Sequence, residues 1–209
     1  EATLTLADGE NKTYITLNGK ASITPLHIDW NIPDNNSCYT IDNVALNATA
    51  LTDLNVEVPN FVWFSLAQNS TTGTLTGNTL TFDKAGNANV IAQTTGDPRY
   101  TPAINVFKNW TVNLTPTEII TNPEIDGDIV YGAQLTDLKL KEGIGAAHNT
   151  VNQQAVDGTF AITSGDISTA GQHTVTVTFT PANTNMYASC TTTILVTVQK
   201  AQPDATASA

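Results

Sequence analysis

Two stretches of the chain, GTLTGNTLTFDKAG (Gly73–Gly86) and GTFAITSGDISTAG (Gly158–Gly171), align without a gap at an offset of 85 residues. Gly73 meets Gly158, Thr74 meets Thr159, Leu75 meets Phe160, and Ala85-Gly86 meets Ala170-Gly171. After each Ala-Gly comes an alternating apolar and polar run, then a polar loop containing proline, then one tyrosine (Tyr100, Tyr187) and a last alternating run. Self-similarity at a fixed offset means one structural unit used more than once. Alternation with a period of two is strand chemistry, one face buried and the other wet. The glycine of each Ala-Gly suits a backbone with positive φ. The tyrosine after each loop is expected to pack under a sheet edge, its hydroxyl bonded to backbone, in the manner of a tyrosine corner. Applied upstream, the same offset sets the strand at Val44 over the strand at Ile129.

The remaining chain divides around this repeat. Residues 1–25 read as a hairpin: ATLTLA and TYITL alternate on either side of Asp8-Gly9-Glu10-Asn11. Two strands alone are marginal in water, so this hairpin needs a partner, whether the end of a preceding repeat, the first full domain or another chain. Residues 26–115 form a first domain, with Trp30 as a core aromatic and the apolar run VEVPNFVWFSL (Phe61, Trp63, Phe64) supplying much of its interior. A tight hairpin turns at Gly77-Asn78, and ANVIAQ is a buried strand. Residues 116–200 form a second domain, entered through Pro116 and Pro123. Its strand or strands from Ile129 to Leu140 break at Gly132, and residues 143–157 are a Gly/Ala-rich loop. Residues 201–209 are a linker or the start of another module. The expectation is a mature chain or, more so, a piece of something longer.

Composition narrows the function classes. Thr and Asn are abundant, only 13% of residues are charged, and net charge is −11. No basic patch exists to displace counterions from phosphates, which argues against nucleic acid and against an anionic membrane surface. No apolar run nears the about 20 residues that span a bilayer. The two cysteines, Cys38 and Cys190, fall in different domains, and free or buried thiols are expected unless the domains fold back on one another.

With those residues in view, the chain resembles bacterial immunoglobulin-like (Big) domains, the tandem repeats of large surface or secreted proteins. GTLTGNTLTFDKAGNANVIAQTTGDPRY carries the Gly-Asn hairpin, the Ala-Gly, the alternating strand and the loop ending in tyrosine; IVYGAQL, DGTF, AGQHTVTVTFTP, NMY and VTVQKA carry the second copy. The resemblance implies tandem immunoglobulin-like β-sandwiches in an extended array. It also implies an extracellular or cell-surface bacterial setting and no catalytic residues, as in stalks, spacers, adhesin arrays and accessory modules of secreted enzymes; the role expected here is that of a spacer, stalk or fibre building block. Neighbouring repeats are the implied partners; separately, the free edge of the first hairpin invites pairing with identical subunits, and a glycan or host-surface ligand is a further candidate partner.

Chemistry-bearing constellations are few. His27, His148 and His173 are scattered, with His173 expected to face solvent on an alternating strand, and no nucleophile elbow, phosphate loop or zinc spacing occurs. Asp126-Gly127-Asp128 beside Glu124 offers oxygens suited to Ca²⁺ near the junction, without the full calcium-loop pattern. A carbohydrate-binding or adhesive module is the alternative reading, and it would draw on Trp30, Trp63, Trp110, Tyr14 or Tyr39 if they were exposed. Asn-x-Ser/Thr sequons begin at Asn11, Asn35, Asn47, Asn69, Asn109 and Asn113; they are acceptors only in a glycosylating host. The residues expected to matter are core and junction residues: Trp63, Phe82, Tyr100, Phe160, Phe179 and Tyr187.

Overall fold

The computed structural model describes residues 2–8, 11–17 and 23–201. Among them regular structure is almost entirely strand, with one 3-10 turn at Leu135–Asp137. β1 (Ala2–Asp8) and β2 (Asn11–Leu17) form the expected hairpin, Asp8 opposite Asn11. They pair with each other and with no other described strand. The expected closing segment Asn18–Ala21 lies outside the described residues, as does the C-terminal linker from residue 202 onward.

Eleven strands follow before the junction: β3 (Thr24–Asp29), β4 (Asn35–Tyr39), β5 (Val44–Ala45), β6 (Thr49–Thr52), β7 (Glu57–Val58), β8 (Val62–Leu66), β9 (Thr74–Thr76), β10 (Thr79–Thr81), β11 (Gly86–Thr94), β12 (Tyr100–Thr101) and β13 (Val106–Asn113). They assemble into the sheets β4-β13-β11-β8, β12-β3-β6-β7 and β5-β10-β9. The strict alternation of β11 decides the arrangement: Ala88, Val90 and Ala92 are buried while Asn87 is exposed and Asn89, Ile91 and Gln93 are half-covered. The inner face meets Leu80, Phe82, Leu46 and Leu75 from the opposite layer. At its centre Trp30 packs between Phe64 (ring centroids 5.2 Å) and Trp110 (5.8 Å). Tilted aromatic contacts of this kind add about 0.5–1.5 kcal/mol beyond their area. Trp30 is the core aromatic the sequence suggests.

The C-terminal half contains β14 (Thr117–Thr121), β15 (Ile129–Val130), β16 (Ala146–Asn149), β17 (Gly158–Gly165), β18 (Gly171–Pro181) and β19 (Cys190–Gln199). One sheet runs β15-β19-β18-β17 and a second pairs β14 with β16. Val175, Val177, Ile194, Val196 and Val198 line the inner face of the larger sheet. Its cover is thin: Leu135, Leu138 and Leu140 come from segments without strand structure, and Ile119 and Ala147 from the two-stranded sheet. No sheet takes strands from both sides of Thr115. The chain is therefore an all-β protein with β-sandwich layering.

The sheets correct the repeat in detail. β4-β13-β11-β8 and β15-β19-β18-β17 share one order: a parallel edge strand, then two long antiparallel strands, then a shorter one. Gly86 opens β11 and Gly171 opens β18, as the alignment requires. The strand at Val44 is nevertheless not the counterpart of that at Ile129. β5 pairs with β10, whereas β15 runs parallel beside β19, the place β4 occupies beside β13. The stretches before the two glycines also differ. Thr74–Thr81 makes the hairpin β9-β10 around Gly77, whose φ is +58°. In the aligned copy Ile162-Thr163 stands where Gly77-Asn78 does, and β-branched residues cannot take that turn. The chain runs straight on as β17, with a bulge between Ile162 and Ser164. Residues 143–157 are likewise not one loop, since β16 lies within them and pairs with β14. The expected strand from Ile129 to Leu140 is only Ile129–Val130, broken by Gly132 at φ +98°.

Candidate functional site

Three residues, Leu114-Thr115-Pro116, separate β13 from β14. Thr115 is 0% exposed, and Thr40, just after β4, is 1% exposed. A buried hydroxyl costs about 1–3 kcal/mol when unpaired, and here every one is satisfied. The Thr115 hydroxyl lies 2.8 Å from Thr40 Oγ1. Thr40 Oγ1 donates to the carbonyl of Met186. The Thr115 amide also donates to Met186, at 2.8 Å, and the Ala188 amide donates to the Thr115 carbonyl at 2.9 Å. Thr117 Oγ1 donates to the Ala188 carbonyl at 2.6 Å. The β18–β19 loop is thus gripped by the linker and by a residue of the N-terminal half. A further bond, Ala85 amide to Asn185 carbonyl at 3.2 Å, ties the same loop to the turn before Gly86. The polar Pro-Asn loop between β18 and β19 therefore serves as a docking element, which its sequence did not announce.

The tyrosines divide in role. Tyr187 sits inside this junction, bridged to Thr115 and half-buried against the cluster of Ala147, Val156 and Phe179. Tyr100 packs edge-on against Phe61 at 5.4 Å, with the Arg99 guanidinium 5.5 Å from its ring centroid. Arg99 also clamps Asp97 through two bonds of 2.9 Å, which hold that carboxyl down to about 2. Neither tyrosine hydroxyl makes a hydrogen bond among the described residues, so the tyrosine-corner expectation is not met; packing of the rings fixes the loops instead.

The acidic cluster near Pro123 is a turn. Asp126 and Lys139 pair through backbone, Gly127 takes φ +82°, and Glu124 Oε2 accepts from Lys141 Nζ at 2.8 Å. Asp128 lines an open cleft of about 310 Å³ with Glu124, Ile129 and Leu195. Among the described residues no group of three or more His, Cys, Asp or Glu side chains comes together at metal-holding distance. His27, His148 and His173 stand on β3, β16 and β18. His173 is on the inward row of β18 and half-buried, against expectation, with Nε2 2.6 Å from the Thr169 carbonyl. His148 Nε2 is buried without a hydrogen-bond partner and 3.7 Å from Glu118 Oε2.

Cys38 and Cys190 are both free and half-buried. Burial, seconded by Asp42, pushes the Cys38 thiol up to about 11. A raised pKa means the folded state holds its proton more tightly. The stabilisation is complete below about 9, where a free thiol titrates, and is lost as pH rises through about 11. Only the thiolate is nucleophilic. Iodoacetamide should therefore label Cys38 slowly at pH 8 and faster only beyond pH 10, as peptide mass spectrometry would read; rapid labelling at pH 8 would contradict the burial.

Of the aromatics, Trp30 and Trp110 are core, while Trp63 is 47% exposed and Phe107 57% exposed. Trp63 is thus not the core residue it was expected to be. Phe82 and Phe179 are buried, and Phe160 packs against Phe179 at 5.0 Å. Tyr39 is exposed and Tyr14 lies where only backbone is described. The sequon asparagines Asn35, Asn47, Asn69 and Asn113 are exposed and Asn109 is half-covered. No helix among the described residues is long and apolar enough to cross a membrane.

No protein-family model matches the chain, and no curated protein matches it. Among solved structures, the crystal structure of human mucin-like protocadherin EC1-2 is similar at 14% identity, over 84% of this chain and 99% of that one. Its TM-score is 0.28, and a likeness of that size carries no argument about fold or function.

Proposed function

We propose that the chain is a non-catalytic load-bearing segment of an extracellular bacterial surface or fibre protein. Two immunoglobulin-like modules of the Big type, residues 26–115 and 116–200, act in tandem as spacer or stalk. The observation that carries this reading is the threonine junction. A spacer has to resist bending between modules, and a three-residue linker closed by buried, mutually satisfied hydrogen bonds does so at one orientation. The hairpin β1-β2, unpaired with any other described strand, extends the array by adding to a preceding repeat or to an identical subunit.

Residual dipolar couplings on the whole chain test it. A stiff spacer gives one alignment tensor for both halves. Two independent tensors, or separate tumbling times from nitrogen relaxation, would sink the spacer reading.

A further inference from the structure

The outer face of the sheet β4-β13-β11-β8 differs from the rest of this acidic surface. We propose that it binds an uncharged oligosaccharide chain. The register sets Trp63 beside Gln93, and Ser65 beside Ile91 and then Phe107. Trp63 and Phe107 thus stand on the same face, two strands and one pleat repeat apart. With strands about 4.8 Å apart and about 3.3 Å per residue, their backbones are about 12 Å from each other. That span suits several linked sugar rings rather than one. Apart from Ile91 and Phe107, the outward positions of β11 and β13 are amides and hydroxyls: Asn87, Asn89, Gln93, Asn109, Thr111 and Asn113.

Charge selects the occupant. The chain has 19 acidic and 8 basic residues, yet no outward side chain of these four strands is ionisable at neutral pH. The one lysine of β13, Lys108, is turned inward to the Ile32 carbonyl (2.7 Å) and Asp34 (2.8 Å). A nucleic acid or sulfated glycan would need cations on this face, and a basic peptide would need carboxylates. A protein partner or second copy would prefer a broad continuous apolar patch, but here Ile91 is the one apolar side chain between the aromatics, and Gln93 and Ser65, bonded to each other at 2.7 Å, flank it with polar groups. Flat rings to carry the apolar faces of sugars, with amides between them to bond hydroxyls, match a neutral polyhydroxylated chain.

Trp30 and Trp110 are buried, so iodide quenching of the whole protein reports on Trp63. The probes are neutral glucan, mannan, galactan and chitin oligosaccharides at millimolar concentration, with heparin as the charged control. At least one neutral probe should protect Trp63 from iodide. Trp63→Ala and Phe107→Ala should each weaken that binding tenfold or more, read by calorimetry, with thermal midpoints within a few degrees of the parent. Heparin should not bind. The proposal is overturned if every neutral probe fails, if binding survives both substitutions, or if sedimentation shows a dimer that Trp63→Ala dissolves, which would make a second copy the occupant. None of these outcomes depends on how stiff the junction is.

Discussion

Phe179→Ala should cost about 3–5 kcal/mol and lower the unfolding midpoint of the C-terminal half by more than about 10 °C. The ring is among the largest side chains with almost no exposure, and it belongs to the cluster of Ala147 and Val156 that joins β14-β16 to β18. Two glycines lie against the Phe160–Phe179 pair. A Cβ at Gly158 would stand 2.5 Å from the Phe179 ring and 2.4 Å from the Thr180 carbonyl, and one at Gly145 would stand 2.9 Å from the Phe160 ring. Backbone that comes this close to the Phe160–Phe179 pair cannot collapse into the space the pair leaves, so the cavity stays open and the cost falls at the high end. All three tryptophans lie before residue 115, so their fluorescence follows the N-terminal half alone. A loss of that size exceeds what the few junction bonds can share between the halves, so the variant should lose part of its far-ultraviolet dichroism before tryptophan fluorescence changes. Thr174→Ala, outward on the same strand, should stay within about 0.5 kcal/mol. A loss below about 1 kcal/mol for Phe179→Ala would mean that the two layers are not held together there.

How far the sequence could be followed depends on which residues carried a direction. β11 and β18 were legible because each alternates small or branched apolar residues with polar ones, and a glycine marks each start. The run PNFVWFSL was not, because it is apolar on both parities. The clue was Ser65, two residues from Trp63, which puts both on the wet face and leaves Val62, Phe64 and Leu66 for the core. β16 was hidden because AAHN contains no β-branched or aromatic residue. Its order comes instead from fully buried Asn149, whose side chain caps the turn through the Val151 and Asn152 amides and the Gln154 carbonyl. Identity between the two repeat stretches misled where Gly77-Asn78 faces Ile162-Thr163, although Phe82 and Ile167, also aligned, are both buried. The threonine junction could not be read at all, since Thr40, Thr115 and Met186 come together only once both halves are folded. A chain so rich in threonine gives no reason to single out two of them.

Thr40→Val should cost about 2–3 kcal/mol, and more than Thr115→Val. The asymmetry follows from the direction of the bonds. Thr40 Oγ1 accepts from the Thr115 hydroxyl while donating to the Met186 carbonyl, so its removal strands a buried donor and takes one of two donors from a half-buried acceptor. Thr115→Val leaves the Thr40 to Met186 bond and the Thr115 amide bond in place, and should cost about 1 kcal/mol. The double variant then has no orphaned hydroxyl and should be no less stable than Thr40→Val, a coupling that a double-mutant cycle reads as marked non-additivity. Valine keeps the shape, so packing is not the cause. The sharper readout is cooperativity. In the parent, tryptophan fluorescence and far-ultraviolet dichroism should melt together, because the β18–β19 loop cannot leave Thr40 without breaking the linker bonds as well. In Thr40→Val the two curves should separate, each half melting on its own. Additive effects, or coincident melting in all three variants, would show that the halves communicate through some other contact and that the hydroxyl knot only fills space.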